Sequence, residues 1–143
     1  MITAVDTNVL LDILAPDPEY FERSVQALEE AAQAGSLVIS DIVYAELCVH
    51  FLRQADCDQF LEQNDIRVEP LTREARFLAS RLWRTYRQKG GQRTRILTDF
   101  LVGAHAQVQA SKLLTRDRGF YRDMFRSLSL VDPANPSGGG RTS

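Results

Sequence analysis

Four acidic side chains lie where a chain of alternating strands and helices would bring distant segments together. They are Asp6, Glu46, Asp99 and Asp117. Clustered carboxylates repel one another, so such a set is unfavourable unless a cation compensates. Mg²⁺ and Mn²⁺ prefer hard oxygen ligands, and either ion can activate a water while it neutralises charge on a phosphodiester. The four acids therefore predict a metal-dependent hydrolytic site.

Each acid also has a purely structural interpretation. Asp6 follows an apolar run and can cap the next helix, while Asp99 begins a helix whose dipole favours an anion. Asp117 can serve as a turn or cap residue. Glu46 is the hardest to explain in this way, because Ala45 and Leu47 flank it in an apolar segment. Spacing alone leaves both interpretations open.

The elements that must position these acids follow from hydrophobic periodicity and capping residues. Strands are predicted over Ile2–Val5, 37–39, 66–68, 112–115 and 128–131. Helices are predicted after Thr7, over 21–32 with an end at Gly35, after Ser40 or Asp41 with an apolar stripe as far as Phe51, over 56–64, from Thr72 to Gly90, and from Thr98 to about 110. This alternation predicts a three-layer α/β domain with a central, mostly parallel sheet flanked by helices, and ligands then bind at the carboxyl ends of the strands.

Length and composition favour a single globular domain. The chain has 143 residues, of which 44% are hydrophobic and 25% are charged. We expect one domain over residues 1–132 and a disordered tail over 133–143, which is rich in Pro, Gly and Ser. No apolar run approaches the roughly 20 residues of a membrane span, and the N-terminus lacks signal-peptide features. With only Cys48 and Cys57, in no metal-binding spacing, we expect reduced thiols and a cytoplasmic protein.

Charge is distributed unevenly along the chain. Residues 1–80 carry 15 acidic and 5 basic side chains, and residues 81–143 carry 4 acidic and 12 basic ones. Six basic residues and no acid lie between Arg81 and Arg95, immediately before Asp99. The segment can bind nucleic acid phosphates, or it can be a solvated helix face and loop; its position beside two proposed site acids favours RNA.

Four segments in order resemble the motifs of the PIN-domain ribonucleases, and most closely the VapC-type toxins of type II toxin–antitoxin pairs. They are VDTNVLLD at 5–12, SDIVYAEL at 40–47, TDFLVGAHA at 98–106 and LTRDRGF at 114–120. The resemblance covers roughly residues 1–132, and the four acids are all present in it.

The resemblance implies a PIN-like fold in which Asp6, Glu46, Asp99 and Asp117 are the catalytic and metal-site acids. It implies a Mg²⁺- or Mn²⁺-dependent endoribonuclease acting on structured cellular RNA, a homodimer, and a cognate VapB-like antitoxin that blocks the site. The alternative is a catalytically inactive PIN-like module that binds RNA or a protein. A nucleotide-binding or hydride-transfer enzyme lacks support, because neither GxGxxG nor GxxxxGK[ST] occurs.

Further residues are assigned around these acids. The candidate RNA contacts are Thr7, Asn8, Arg84, Arg87, Arg93, Arg95, Arg116 and Arg118. Asp12 is expected on the helix surface or in a polar network. Neither His50 nor His105 is assigned as a general base, because a metal-activated water removes the need for one. An apolar groove near residues 20–60 is expected to receive an amphipathic antitoxin segment.

Overall fold

A five-stranded sheet forms the centre of the fold. The structure is a computed structural model, which describes residues 1–90 and 96–134. The strands are β1 (Ile2–Val5), β2 (Ser36–Ser40), β3 (Ile66–Glu69), β4 (Lys112–Leu114) and β5 (Ser129–Val131). Their order is β3-β2-β1-β4-β5, and every neighbouring pair is parallel. The predicted α/β architecture is confirmed, and within the described residues the sheet is entirely rather than mostly parallel.

Seven helices flank the sheet in the part of the chain that the structure describes. They are α1 (Thr7–Leu14), α2 (Phe21–Ala34), α3 (Asp41–Cys48), α4 (Gln54–Gln63), α5 (Arg73–Gln88), α6 (Leu97–Gln109) and α7 (Arg118–Met124). Two caps form as predicted: the Ser40 hydroxyl accepts a hydrogen bond from Val43 N at 3.1 Å, and the Thr72 hydroxyl accepts one from Ala75 N at 3.1 Å. Each satisfies a donor that the first helical turn leaves free.

Several predicted boundaries were wrong. The N-cap of α1 is Asp6 rather than Thr7, since the Asp6 carboxylate accepts the hydrogen bond from Thr7 N. Helix α6 has Ile96 as its N-cap and already contains Thr98. Helix α3 ends at Cys48, before Phe51. Helix α7 was not predicted, because its seven residues are too few to show an apolar period.

Close packing explains why two positions of this fold require glycine. A Cβ at Gly103 on α6 would collide with the ring of Phe125, which follows α7 and is almost fully buried. A Cβ at Gly35 would collide with the backbone of Met1, whose carbonyl accepts a hydrogen bond from Ser36 N at 2.9 Å. Both glycines therefore allow two chain segments to approach closely.

The apolar faces of the sheet and helices form one core. Its largest fully buried side chains include Phe100, Phe125 and Leu10. Among residues 1–90 and 96–134, no helix combines the length and apolar character that crossing a membrane requires. The predicted tail falls mostly on residues 135–143, which lie outside the described residues, so that prediction and the domain boundary remain untested.

Candidate active site

Asp6 lies at the carboxyl end of the central strand β1 and is 7% exposed. Its Oδ1 accepts a hydrogen bond from Thr7 N at 2.8 Å. Its Oδ2 accepts one from the Thr115 hydroxyl at 2.8 Å and a longer one from Asn8 Nδ2 at 3.4 Å. The backbone N of Asp6 also donates to Leu114 O at 2.9 Å, so β4 holds it from the other side. These contacts fix the carboxylate at the edge of the sheet where ligands bind in such folds.

The environment of Asp6 disfavours its charge. Burial is the main cause that raises its pKa from 3.8 to about 6. Hydrogen bonds from Thr115 and Thr7 oppose this shift, whereas the negative charges of Glu46 and Asp117 add to it. The Asp6 carboxyl therefore keeps its proton to a higher pH than an exposed aspartate does.

Glu46 reaches the same edge from α3, which follows β2. Its Oε1 accepts a hydrogen bond from the Thr7 hydroxyl at 2.6 Å. Thr7 thus bridges two of the predicted acids, through its backbone N to Asp6 and through its hydroxyl to Glu46. Glu46 is otherwise exposed to solvent. An exposed carboxylate held at one oxygen leaves its second oxygen available for a ligand.

Asp117 follows β4 and lies at the N-cap position of α7. Its backbone N donates to the Thr115 hydroxyl at 2.9 Å, and that hydroxyl in turn donates to Asp6. Thr115 has no exposed surface and joins the two acids much as Thr7 joins Asp6 and Glu46. The sequence analysis did not single out Thr115, although its position two residues before Asp117 at a strand end was a usable signal.

Asp99 is the third residue of α6, and its Oδ2 accepts a hydrogen bond from Ile96 N at 3.1 Å. The structural interpretation of Asp99 as a residue of the helix start therefore holds. It does not exclude a second role, because Asp99 is only half-buried and its charge also acts on Tyr121.

Tyr121 on α7 connects the remaining acids. Burial raises the pKa of its hydroxyl well above the ordinary value, and the charges of Asp6, Asp99 and Asp117 and a hydrogen bond with Asp6 raise it further. The hydroxyl therefore stays protonated at neutral pH. Tyr121 was missed by the sequence analysis because α7 was not predicted.

Hydrogen bonds through Thr7 and Thr115 thus join Glu46 and Asp117 to Asp6. Asp99 acts by its charge on Tyr121. Within the described residues, no three His, Cys, Asp or Glu side chains are close enough to enclose a metal ion by themselves. This arrangement suits an ion that keeps several waters, since Mg²⁺ is usually held by one or two carboxylates plus water and phosphate oxygens. The donor set, all carboxylate, fits Mg²⁺ or Mn²⁺ in chemical type.

The predicted RNA-contact residues fall into two groups. Thr7, Asn8 and Arg116 belong to the polar network beside the acids: Arg116 N donates to Asn8 Oδ1 at 3.1 Å, and the Arg116 guanidinium pairs with Asp12. Asp12 is 3% exposed and is a network residue, as expected. Arg118 begins α7 beside Asp117.

Arg84 and Arg87 belong to the second group, on the outer side of α5. With Ser80, Arg81, Trp83 and Gln88 they line a cavity of about 650 Å³. The Arg87 guanidinium lies 5.0 Å from the Trp83 ring centroid. The Tyr86 and Phe100 rings are 5.4 Å apart, so this end of α5 packs beside the start of α6, which carries Asp99. Arg93 and Arg95 lie outside the described residues.

Comparison with known proteins assigns the chain to a family. The family model described as PIN domain matches residues 3–123, and the chain belongs to this family. No curated protein sequence shows significant similarity to the chain.

Solved structures with the same fold include VapBC2 from Rickettsia felis, bound to a DNA fragment from its promoter. The match has a TM-score of 0.71 at 23% identity and covers 92% of this chain and 98% of the other. VapBC-1 from nontypeable Haemophilus influenzae matches with a TM-score of 0.70 at 19% identity, covering 94% and 99%. FitAcB from Neisseria gonorrhoeae matches with a TM-score of 0.64 at 23% identity, covering 94% and 99%.

Proposed function

We propose that this PIN-domain protein is a Mg²⁺- or Mn²⁺-dependent endoribonuclease that serves as the toxin of a VapBC-type toxin–antitoxin pair. The observation that carries the proposal is the pair of threonine bridges to the buried Asp6 at the carboxyl edge of the sheet: Thr7 joins it to Glu46, and Thr115 joins it to Asp117. A buried carboxylate with acidic neighbours is unfavourable without a cation, so a catalytic use explains why the chain has this arrangement. The solved structures of VapBC and FitAB proteins share the fold and support the toxin role.

The four acids divide the proposed work. Asp6 and Asp99 are the main metal ligands, and Glu46 and Asp117 complete the site directly or through water. A bound Mg²⁺ or Mn²⁺ would make a water molecule nucleophilic at neutral pH, and the positive charge of the ion would neutralise charge on the phosphodiester. Thr7 and Thr115 keep the carboxylates in place with their hydroxyls. Such outer hydrogen bonds orient metal ligands and commonly change metal affinity or activity 10- to 100-fold, as an order of magnitude.

The outer side of α5 supports the assignment of RNA as the substrate. Arg84 and Arg87 place positive charge on the surface at the end of the helix that packs beside the start of α6. Arg93, Arg95 and Arg118 are further proposed phosphate contacts, and Thr7 and Asn8 are proposed contacts at the site itself. Phosphate contacts of this kind position a nucleic acid without selecting its sequence.

Cleavage of a cellular RNA pool tests the activity. Purified protein is incubated with the pool in Mg²⁺, in Mn²⁺ and in EDTA, beside the variants Asp6→Asn and Asp99→Asn. Asp123→Asn is the matched control, because Asp123 is a 68%-exposed acid on α7 outside the site. We expect discrete fragments that need the metal, persist in the control and disappear in both site variants.

Two other results would refute this activity. RNA that stays intact with every protein refutes the nuclease, and retained RNA binding would then favour the binding-module alternative. Fragments that survive EDTA or appear equally with Asp6→Asn would show a contaminating or metal-independent nuclease.

An antitoxin is the proposed protein partner, and the corner between α3 and α4 supports this. Val49 and Leu52 are 79% and 102% exposed there, next to the half-buried Phe51. Exposed apolar residues of this kind suit an amphipathic segment of a VapB-like protein.

We further propose that the toxin is a homodimer and acts in the cytoplasm, in keeping with its two free cysteines. Light scattering of the isolated protein tests the dimer, and Val49→Asp tests the antitoxin contact.

A further inference from the structure

The turn between β4 and α7 is attached to the start of α1 by Thr115 and Arg116, and Asp117 is attached to Thr115. Thr115 donates its hydroxyl hydrogen to Asp6 Oδ2 at 2.8 Å. Arg116 donates its backbone N–H to Asn8 Oδ1 at 3.1 Å. Asp117 donates its backbone N–H to the Thr115 hydroxyl at 2.9 Å. The position of Asp117 relative to Asp6 therefore depends on how firmly this turn is held against α1.

The Arg116 side chain makes the strongest of these attachments. Its Nε lies 2.9 Å from Asp12 Oδ2 and its Nη2 lies 3.0 Å from Asp12 Oδ1, so both carboxylate oxygens are engaged. Two parallel charge-assisted hydrogen bonds fix the relative orientation of the groups as well as their distance. Asp12 lies in the second half of α1 and is 3% exposed, whereas the Arg116 side chain is 30% exposed, so the carboxylate is the shielded partner of the pair.

Two further contacts hold this pair from the side of α2. The Ser24 hydroxyl on α2 donates to Asp12 Oδ2 at 2.7 Å. The Arg116 guanidinium carbon lies 4.1 Å from the ring centroid of Tyr20, just before α2. The guanidinium is thus enclosed by α1 and the start of α2. An arginine used in this way is poorly placed to bind a phosphate, the role that the sequence suggested for it.

We infer that Arg116 is a positioning residue of the proposed nuclease site: its ion pair with Asp12 fixes the turn that carries Asp117 against α1. This inference rests on the proposed function. A metal site tolerates displacements of only about 0.5 Å in its ligands, so a turn that is attached less rigidly weakens metal binding and catalysis. Lysine cannot replace arginine here, because a single ammonium does not engage both oxygens of Asp12.

The positioning role and the RNA-contact role predict different kinetics. Loss of a phosphate contact weakens RNA binding and lowers its salt dependence, which raises KM. Loss of a positioning contact leaves RNA binding and KM unchanged, and it lowers kcat together with the affinity for the metal.

The test compares Arg116→Lys and Arg116→Gln with the wild type. Arg122→Gln is the matched control, since Arg122 is 59% exposed on the neighbouring α7. Mn²⁺ binding is measured by the electron paramagnetic resonance signal of free Mn²⁺ without RNA, and kcat and KM are measured with RNA. We expect Arg116→Lys to keep KM within twofold while kcat and Mn²⁺ affinity each fall about tenfold or more. Arg122→Gln should match the wild type in all three.

A double variant distinguishes the loss of positioning from a simple failure to fold. Arg116→Gln leaves Asp12 buried without its partner, so the protein with both Arg116→Gln and Asp12→Asn removes the two charges together. If it folds, as circular dichroism would show, it should have the same low kcat as Arg116→Lys. Folded variants with unchanged kcat and Mn²⁺ affinity overturn the inference, as does a change confined to KM.

Failure of the proposed function gives a different pattern. A wild type that binds Mn²⁺ without cutting RNA refutes the nuclease alone, and the Mn²⁺ affinities of the Arg116 variants still decide the inference. A wild type that neither cuts RNA nor binds Mn²⁺ overturns both.

Discussion

The Asp6 carboxylate is buried among hydrogen-bond donors and other acids, and this environment has a consequence for stability. The folded protein binds the Asp6 proton more tightly than the unfolded chain, because the pKa rises from 3.8 to about 6 on folding. The stabilisation from that proton is complete below about pH 4 and is lost as the pH rises through 6. A shift of this size corresponds to roughly 3 kcal/mol at most.

Asp6→Asn should therefore remove a pH-dependent destabilisation. In EDTA, the free energy of unfolding of the wild type should fall relative to that of the variant between pH 4.5 and 7. Urea unfolding at several pH values measures this difference, and adding Mg²⁺ at pH 7 should stabilise only the wild type. Parallel pH profiles of the free energy of unfolding for the two proteins would show that folding does not raise the pKa of Asp6.

Thr7 offers a second prediction for a single residue. Thr7→Val keeps the shape of the side chain but removes the hydroxyl that donates to Glu46 at 2.6 Å. We expect RNA cleavage to fall about 10- to 100-fold through misorientation of Glu46, with stability changed by about 1 kcal/mol.

Thr7→Ser is the matched control, because it restores the hydroxyl and should restore most of the activity. Cleavage rates and thermal melting measure the two effects. Full activity in Thr7→Val would show that the contact between Thr7 and Glu46 plays no part in catalysis.

At the scale of the elements, α6 and the segment that follows α7 meet at Gly103. Gly103→Ala places a methyl group against the buried ring of Phe125, and forced repacking of this kind costs about 1–3 kcal/mol. Gly119→Ala on α7 is the control, because its methyl group meets nothing within 4 Å. Urea unfolding should show a loss for the first variant and none for the second. Equal stabilities would mean that Phe125 moves aside freely.

Much of the fold could be predicted because its elements are long and periodic. Helices such as α2 and α5 show clear apolar spacing, and Ser40 and Thr72 are caps whose chemistry is local. The end of α1 that carries Asp6 was harder: the aspartate and Thr7 can each cap, and only the folded structure shows that Thr7 is turned towards Glu46. Whether Thr7 caps the helix therefore depends on Glu46, which lies 39 positions away in the chain.

The candidate site could be predicted in its acids but not in its supporting contacts. Asp6 and Asp117 follow strand ends, which a parallel sheet gathers at one edge, and Glu46 and Asp99 lie in the helices α3 and α6. Tyr121 was missed because the short α7 has no recognisable period. Arg116 was assigned to RNA because its partner, Asp12, lies 104 positions earlier in the chain. Sequence patterns report neighbours along a helix or strand, whereas these pairings arise only from tertiary packing.

At the scale of the whole molecule, the separation of charge along the chain predicts that arginines of the basic half contribute to RNA affinity. Arg84 and Arg87 line the outer side of α5. With Asp6→Asn as background to prevent cleavage, Arg84→Gln with Arg87→Gln should weaken RNA binding. The slope of log affinity against log salt should become shallower by about 1.4, since each of the two lost phosphate contacts contributes about 0.7 on single strands.

The control for this double variant removes the same charge elsewhere. Arg53→Gln with Arg67→Gln neutralises two exposed arginines in the acidic half of the chain, each paired with a nearby acid. Its affinity and salt slope should match the background protein. Fluorescence anisotropy with a labelled RNA measures both quantities, and equal losses in the two proteins would indicate a general charge effect without a defined surface.

The central position of β1 has a consequence for how the protein is made. Strand β1 is flanked by β2 on one side and by β4 on the other, so one of its neighbours is synthesised more than a hundred residues later. Asp6 receives its hydrogen bond from Thr115, and Asp117 follows the same late strand. A nascent or prematurely terminated chain that stops before β4 therefore holds Asp6 without Thr115 and Asp117. The proposed nuclease site is thus completed only after β4 and the turn that follows it have been translated.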